Sequence, residues 1–175
     1  MILNIGEVTI REANLNDAEI LYKWWNDGSV MEHAGFPNGL DITIKQIEQQ
    51  IMKNTDNNKL LIIEYENKPI GEMSLRYIDL NSAKIGIKIC DFTKHGNGLG
   101  TKILHGFVDG LFQENKVDRI VLDTNLNNNR ARHVYEKIGF KEIKINYNSW
   151  KNQLGELQSS VDYELLRKDF TKKAL

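Results

Sequence analysis

Cysteine occurs once in the 175 residues, at Cys90, and proline only twice, at Pro37 and Pro69. A single cysteine excludes an internal disulfide and any zinc site built from several thiolates. It fits a reducing compartment, so a cytoplasmic protein is expected. Neither sign of charge dominates: 23 Lys plus Arg stand against 24 Asp plus Glu, for a net charge of -1. Without a basic surplus the chain is poorly suited to phosphate-backbone binding, and no nucleic-acid partner is expected. No run of about 18 apolar residues occurs, and the opening MILNIGEVTIREA lacks the basic start and long apolar stretch of a signal peptide. No membrane association is expected. Linkers rich in Pro or Ser and internal repeats are also missing. What remains is 41% apolar and 27% charged, a globular composition at a length suited to one domain over residues 1–175.

Hydrophobic period gives the order of elements. Val8 to Glu12 reads as a strand. Asn16 with Glu19 forms a capping-box pattern opening a helix through Ile20, Leu21, Trp24 and Trp25 that ends near Asn26. Thr43 with Gln46 opens a second helix through Ile44, Ile47 and Ile51, after a loop bearing Gly35, Pro37 and Gly39. Leu60–Tyr65, Pro69–Tyr77 and Ala83–Cys90 read as an antiparallel meander. A helix over Gly98–Phe112, a strand over Arg119–Thr124 and a helix over Asn128–Ile138 stopped by Gly139 follow. Two strands, near Phe140–Tyr147 and Ser160–Leu165, close the chain. The expected architecture is α/β, of the α+β kind: about seven strands and about four helices.

The stretch CDFTKHGNGLGTK, Cys90 to Lys102, ends an apolar strand, alternates three glycines at 96, 98 and 100, and opens a helix. Glycines let the backbone turn sharply and approach a ligand, while free N–H groups and the positive helix end favour phosphate oxygens. A tight turn with no ligand would need the same glycines. The dinucleotide fingerprint GxGxxG fails, because no glycine follows Gly98 or Gly100 at the required spacing. The P-loop GxxxxGK[ST] fails because Thr101 precedes Lys102.

The turn resembles the acyl-CoA-binding motif [RQ]xxGxG[AG] of the GNAT superfamily of N-acetyltransferases, reading HGNGLG here, with His95 at the usual Gln or Arg position. Downstream, Asn128, Ala131, Tyr135, Gly139 and Phe140 match the family pattern NxxAxxxYxxxGF. The resemblance runs from Val8 to about Leu165 and is nearest to the branch of ribosomal-protein, polyamine and antibiotic acetyltransferases. It implies the GNAT fold: a mixed, mostly antiparallel twisted sheet in which the strand ending at Cys90 splays from the strand starting at Arg119. It further implies acetyl-CoA as cofactor, no metal, and direct transfer of the acetyl group to a primary amine. The rival is an acyl-CoA-binding module that has lost the chemistry. A homodimer is left open.

By the resemblance, Lys88, Ile89 and Cys90 offer backbone groups to the pantetheine arm. His95, Gly96, Asn97, Gly98, Leu99, Gly100 and Thr101 form the pyrophosphate cradle. Asn128 and Ala131 meet the cofactor arm, although Asn also suits a helix N-cap. Tyr135 matches the tyrosine that protonates the leaving thiolate, the alternative being a core aromatic. Cys90 has no Cys-His motif to activate it and reads as a small apolar residue rather than a nucleophile. Several relatives carry a glutamate base where this chain has Lys84, in Ala83-Lys84-Ile85. Glu72 on the preceding strand is the expected substitute, with Asp91 second. The missing base weighs most on substrates of high pKa: a lysine-type amine costs roughly 4 kcal/mol to deprotonate near pH 7.4, an α-amine under about 1. Trp25, Asn26, His33 and Phe36 are the expected acceptor-site residues. Trp150 could cover the substrate or pack at an interface.

Overall fold

The computed structural model describes residues 2–114 and 117–172. Among these residues eight strands form one sheet: β1 (Ile2–Ile5), β2 (Val8–Glu12), β3 (Asn58–Tyr65), β4 (Lys68–Tyr77), β5 (Ser82–Ile89), β6 (Arg119–Asn125), β7 (Lys141–Lys151) and β8 (Leu157–Leu166). Their order is β1-β2-β3-β4-β5-β6-β8-β7, and every neighbouring pair is antiparallel except β5 with β6. Among the described residues five α-helices accompany them: α1 (Ala18–Trp25), α2 (Gly28–Met31), α3 (Ile44–Ile51), α4 (Leu99–Gln113) and α5 (Asn129–Ile138).

The apolar run Leu61-Ile62-Ile63 on β3 is buried on both sides, because helices cover both faces of the sheet. Leu61 and Ile63 join a large cluster with Ile103, Leu104, Phe107, Val108 and Leu111 of α4 and with Tyr135 and Ile138 of α5. Ile62 points the other way, into a smaller cluster with Leu21, Trp24 and Trp25 of α1, Met31 of α2, and Ile47 and Ile51 of α3. The helical stripe of α4 and the two-residue alternation of the strands therefore place side chains as their periods require.

The expected seven strands and four helices fall short by one each. The added strand, β1, is a four-residue stretch joined to β2 by a turn in which Gly6 takes a φ of 64°. It closes on α4, where Gly106 and Gly110 make room: a Cβ there would lie 2.5 Å from Ile5 and 3.2 Å from Leu3. The added helix, α2, is one turn capped by Asp27. The first capping box also lies two residues earlier than expected. Asn14 and Asp17 form it, around a 3-10 turn that leads into α1. Arg11 grips Asp17 through two guanidinium nitrogens at 2.8 Å each, so a buried ion pair fixes the corner where the Asn16 pattern pointed. The Thr43–Gln46 box is formed as expected.

Candidate active site

The parallel pair β5/β6 registers only Ser82 with Arg119, Ala83 with Ile120 and Lys84 with Val121. Both strands continue, to Ile89 and Asn125, without pairing to each other again. β5 stays on β4 and β6 stays on β8, so a cleft opens in the middle of the sheet. Lys84 stands at its vertex, where its ammonium pairs with Asp123 across the opening. The expected splay is thus present, and the lysine in the usual glutamate position is held by a carboxylate on the facing strand.

β5 runs out of the cleft into the glycine turn. Gly96 and Gly98 take φ of 84° and 71°, which L side chains rarely adopt. Gly98 caps α4 without any side-chain hydrogen bond, leaving the first-turn amides of Leu99, Gly100 and Thr101 as open donors. A Cβ at Gly96, Gly98 or Gly100 would meet nothing within 4 Å. Gly100 needs neither a positive φ nor packing room, so the protein itself gives no reason for a glycine there. A ligand lying against the backbone does, and open amides at the positive end of a 15-residue helix suit a pyrophosphate.

His95 braces this cradle from inside. Its Nε2 lies 2.9 Å from the Ile89 carbonyl oxygen, and its Nδ1 meets the Arg130 guanidinium. Nε2 donates and Nδ1 accepts if the imidazole is neutral. With both ring nitrogens engaged by the protein, His95 fastens the end of β5 to α5, and Arg130, absent from the sequence expectations, is brought to the turn. Asn97 is exposed on the turn, and Leu99 packs against the large core. Asn128 is the N-cap of α5: its side chain accepts from the Ala131 amide at 3.2 Å and donates to the Thr124 hydroxyl on β6 at 3.2 Å.

Tyr135 is 4% exposed, its ring edge-on to Tyr163 at 5.6 Å and tilted against Phe140 at 6.1 Å. Burial, with the Asp123 carboxylate adding to it, pushes its phenol well above the ordinary tyrosine value, so it keeps its proton throughout the neutral range. Burial likewise raises the Cys90 thiol, helped by Glu72, and holds it uncharged. A buried neutral thiol is no nucleophile, in line with the apolar reading.

Glu72, on β4 opposite Lys88, is 9% exposed. Its Oε2 accepts from the Trp25 indole at 2.7 Å and its Oε1 from the Lys88 ammonium at 3.0 Å. The Lys88 side chain, expected to matter only through its backbone, is thus part of the cluster. Asp91 is occupied elsewhere, capping a turn by accepting from the Thr93 amide and hydroxyl.

The acceptor-side expectations divide. Trp25 reaches Glu72, and His33 lines an open cavity of about 250 Å³ with Glu32, Asn125, Asn152, Glu156 and Gln158. Asn26 does not line it: both ends of its carboxamide bond to the Ile42 backbone, at 2.9 and 2.8 Å, and so hold the loop in place. Phe36 packs against the smaller core. Trp150 lies on Gly35, where a Cβ would come within 2.4 Å of its ring, and so packs within the chain. No spacing rule links residue 35 to 150, so that contact carries no sequence signal, whereas Glu72 and Lys88 face each other across the expected β4/β5 hairpin.

Comparison with known proteins agrees with this geometry. A family model described as an acetyltransferase (GNAT) domain matches residues 7–141. The aminoglycoside N(6')-acetyltransferases type 1 of Klebsiella pneumoniae and Serratia marcescens are each 27% identical over 150 residues, spanning 77% of this chain and 74% of theirs. Among solved structures, the RimL ribosomal L7/L12 alpha-N-protein acetyltransferase in complex with coenzyme A superposes with a TM-score of 0.82 at 15% identity, covering 95% of this chain and 98% of its own. Spermidine N-acetyltransferase from Vibrio cholerae, in complex with CoA and spermine, does so with a TM-score of 0.82 at 20% identity, over 94% and 98%. With the splayed strands and the open glycine cradle, these likenesses establish that the chain belongs to the GNAT acetyltransferase family and is an acetyl-CoA-dependent N-acetyltransferase.

Proposed function

We propose that the protein acetylates a small polar primary amine by direct transfer, with acetyl-CoA and the amine bound together at the β5/β6 cleft. The observation that carries this reading is the chemistry gathered beside that cleft: a phenol on α5, Tyr135, that stays protonated, and a carboxylate on β4, Glu72, held by Trp25 and by Lys88 near the end of β5.

Bound acetyl-CoA supplies the thioester carbonyl that the amine attacks and the thiolate that leaves. The open amides of Leu99, Gly100 and Thr101 bind its pyrophosphate, and the end of β5 that has parted from β6, with Lys88, Ile89 and the following Cys90, aligns its arm. Glu72 retains unused acceptor positions on both oxygens, because a carboxylate offers about four. It can accept an N–H of the incoming amine, directly or through water, and so aim the nitrogen lone pair. Tyr135 holds a proton for the departing sulfur, a role suited to a phenol that does not ionise at working pH.

The cavity beside His33 supports a polar acceptor. Glu32 and Glu156 bring carboxylates to its lining, and Asn125 and Gln158, bonded to each other, add carboxamides beside Pro37 and Leu154, which suits an ammonium group on a small polar molecule. Relatives named for aminoglycosides, spermidine and a ribosomal-protein N-terminus bracket the candidates.

The test is release of CoA from acetyl-CoA with three panels: aminoglycosides, polyamines and short peptides with free N-termini. One panel is expected to turn over. Tyr135→Phe should lower kcat with that substrate by roughly 10²-fold or more while KM for acetyl-CoA stays nearly unchanged. Undiminished kcat in Tyr135→Phe would remove the proton-donor role.

A further inference from the structure

Lys88 belongs to the family motif only through its backbone, yet its side chain turns into the most buried polar cluster of the active site. Its ammonium lies 3.0 Å from Glu72 Oε1 and 3.1 Å from the Met31 sulfur. The Trp25 indole closes the other carboxylate oxygen at 2.7 Å. Both partners of Glu72 are donors only, since neither an indole N–H nor an ammonium can accept a hydrogen bond. Such a pair fits a carboxylate and leaves no partner for the proton of a carboxylic acid. The remaining walls offer little help to a negative charge: Ile62 across the β3/β4 register is apolar, the Cys90 thiol is neutral, and Asp27, which acts electrostatically on Cys90, is itself a carboxylate. Among the described residues bonded to Glu72, Lys88 is the one that brings positive charge.

From this geometry we infer that Lys88 is a positioning residue: its ammonium keeps Glu72 ionised and fixes the rotamer from which it receives the amine. The inference rests on the role given to Glu72 above. It accounts for the geometry of a carboxylate 9% exposed: an indole and an ammonium, both donors only, close one on each of its oxygens. It also predicts what is lost without Lys88. The carboxylate would protonate at higher pH, and below that point the enzyme would have no acceptor for the amine N–H.

The experiment compares kcat/KM against pH for wild type, Lys88→Met, Lys88→Arg and Glu72→Gln with one turned-over amine. The titration of the amine is common to all four and cancels in the ratio of variant to wild type. The Lys88→Met ratio should fall about tenfold for each pH unit below a midpoint and level off above it, while Lys88→Arg tracks wild type. A ratio independent of pH overturns the inference. Glu72→Gln separates the two readings: if it matches wild type, the role of Glu72 itself fails, whereas a crippled Glu72→Gln beside a flat Lys88→Met ratio removes Lys88 alone. Thermal unfolding against pH gives a second readout that needs no activity. In Lys88→Met the buried Glu72 favours its protonated form in the fold, so the melting temperature relative to wild type should be highest at acidic pH and drop as pH rises. The same offset at every pH would mean that Lys88 only fills space.

Discussion

Asp17 is 4% exposed and carries its charge into the corner between β2 and α1. Burial opposes ionisation there, but Arg11 at 2.8 Å through two nitrogens and the Asn14 amide overcome it and hold the carboxyl below its ordinary value. A carboxyl whose folded pKa is depressed stabilises the fold above its unfolded value near 4, and that stability is lost as pH falls through the folded value. Asp17→Asn should therefore cost on the order of 3 kcal/mol at pH 7, because it leaves the Arg11 guanidinium short of its main partner. The deficit should shrink in unfolding measurements taken below about pH 4, where wild type loses the same charge. At Tyr135 and Cys90 burial prevails, at Cys90 against the opposing pull of Lys88: both pKa values rise, and both groups stay neutral. For the phenol that suits the proposed proton-donor role, and for the thiol it is inertness.

At the scale of elements, α4 carries two kinds of glycine. Gly106 and Gly110 are fixed by packing, since Ile5 and Leu3 of β1 occupy the space a side chain would need. Gly100 has open space and an ordinary helical backbone, so its cost to the helix, about 1 kcal/mol against alanine, is not repaid within the protein. Gly100→Ala should accordingly raise the melting temperature of the free protein and reduce the extra stabilisation given by acetyl-CoA. For wild type that stabilisation is about 2.7 kcal/mol at a ligand concentration 100 times Kd, and a thermal-shift titration reads both effects together. If the variant responds to acetyl-CoA as wild type does, the cradle lies elsewhere. The elements themselves were largely legible. The Thr43–Gln46 box, the apolar stripe of α4 and the stop at Gly139, whose φ is 112°, are local signals that local forces decide. β1 was not legible because four residues carry too little pattern, and what secures them is a helix about 100 positions away.

At the scale of the whole molecule, the β7–β8 hairpin reaches across the sheet to the loop after α2. Gln153 accepts from the Asn38 amide at 2.9 Å and donates to the Gly39 carbonyl at 2.9 Å, while its own amide donates to the Gly35 carbonyl at 2.8 Å. The Trp150 ring covers Gly35. These contacts shape the cavity that His33, Glu32 and Glu156 line. Gln153→Ala removes two of the three hydrogen bonds, each worth about 1 kcal/mol. It should raise KM for the amine about tenfold while leaving KM for acetyl-CoA unchanged, and steady-state kinetics with each substrate varied in turn checks it.

The amino-acid sequence by itself determined the order of elements, the glycine turn with its open amides and the residue at each motif position, because these follow from periodicity, φ preference and spacing along the chain. It also determined that position 84 carries a lysine in place of a carboxylate. Only the tertiary structure decided what Lys84 meets, which is Asp123 across the cleft, and which groups surround Glu72. It likewise decided the partner of Asn26, which is the Ile42 backbone, and those of His95, which are the Ile89 carbonyl and Arg130. The physical reason is the same in each case. A polar side chain acquires its chemistry from the partners that satisfy it once buried, and those partners come from strands and loops that the sequence separates and only folding brings together.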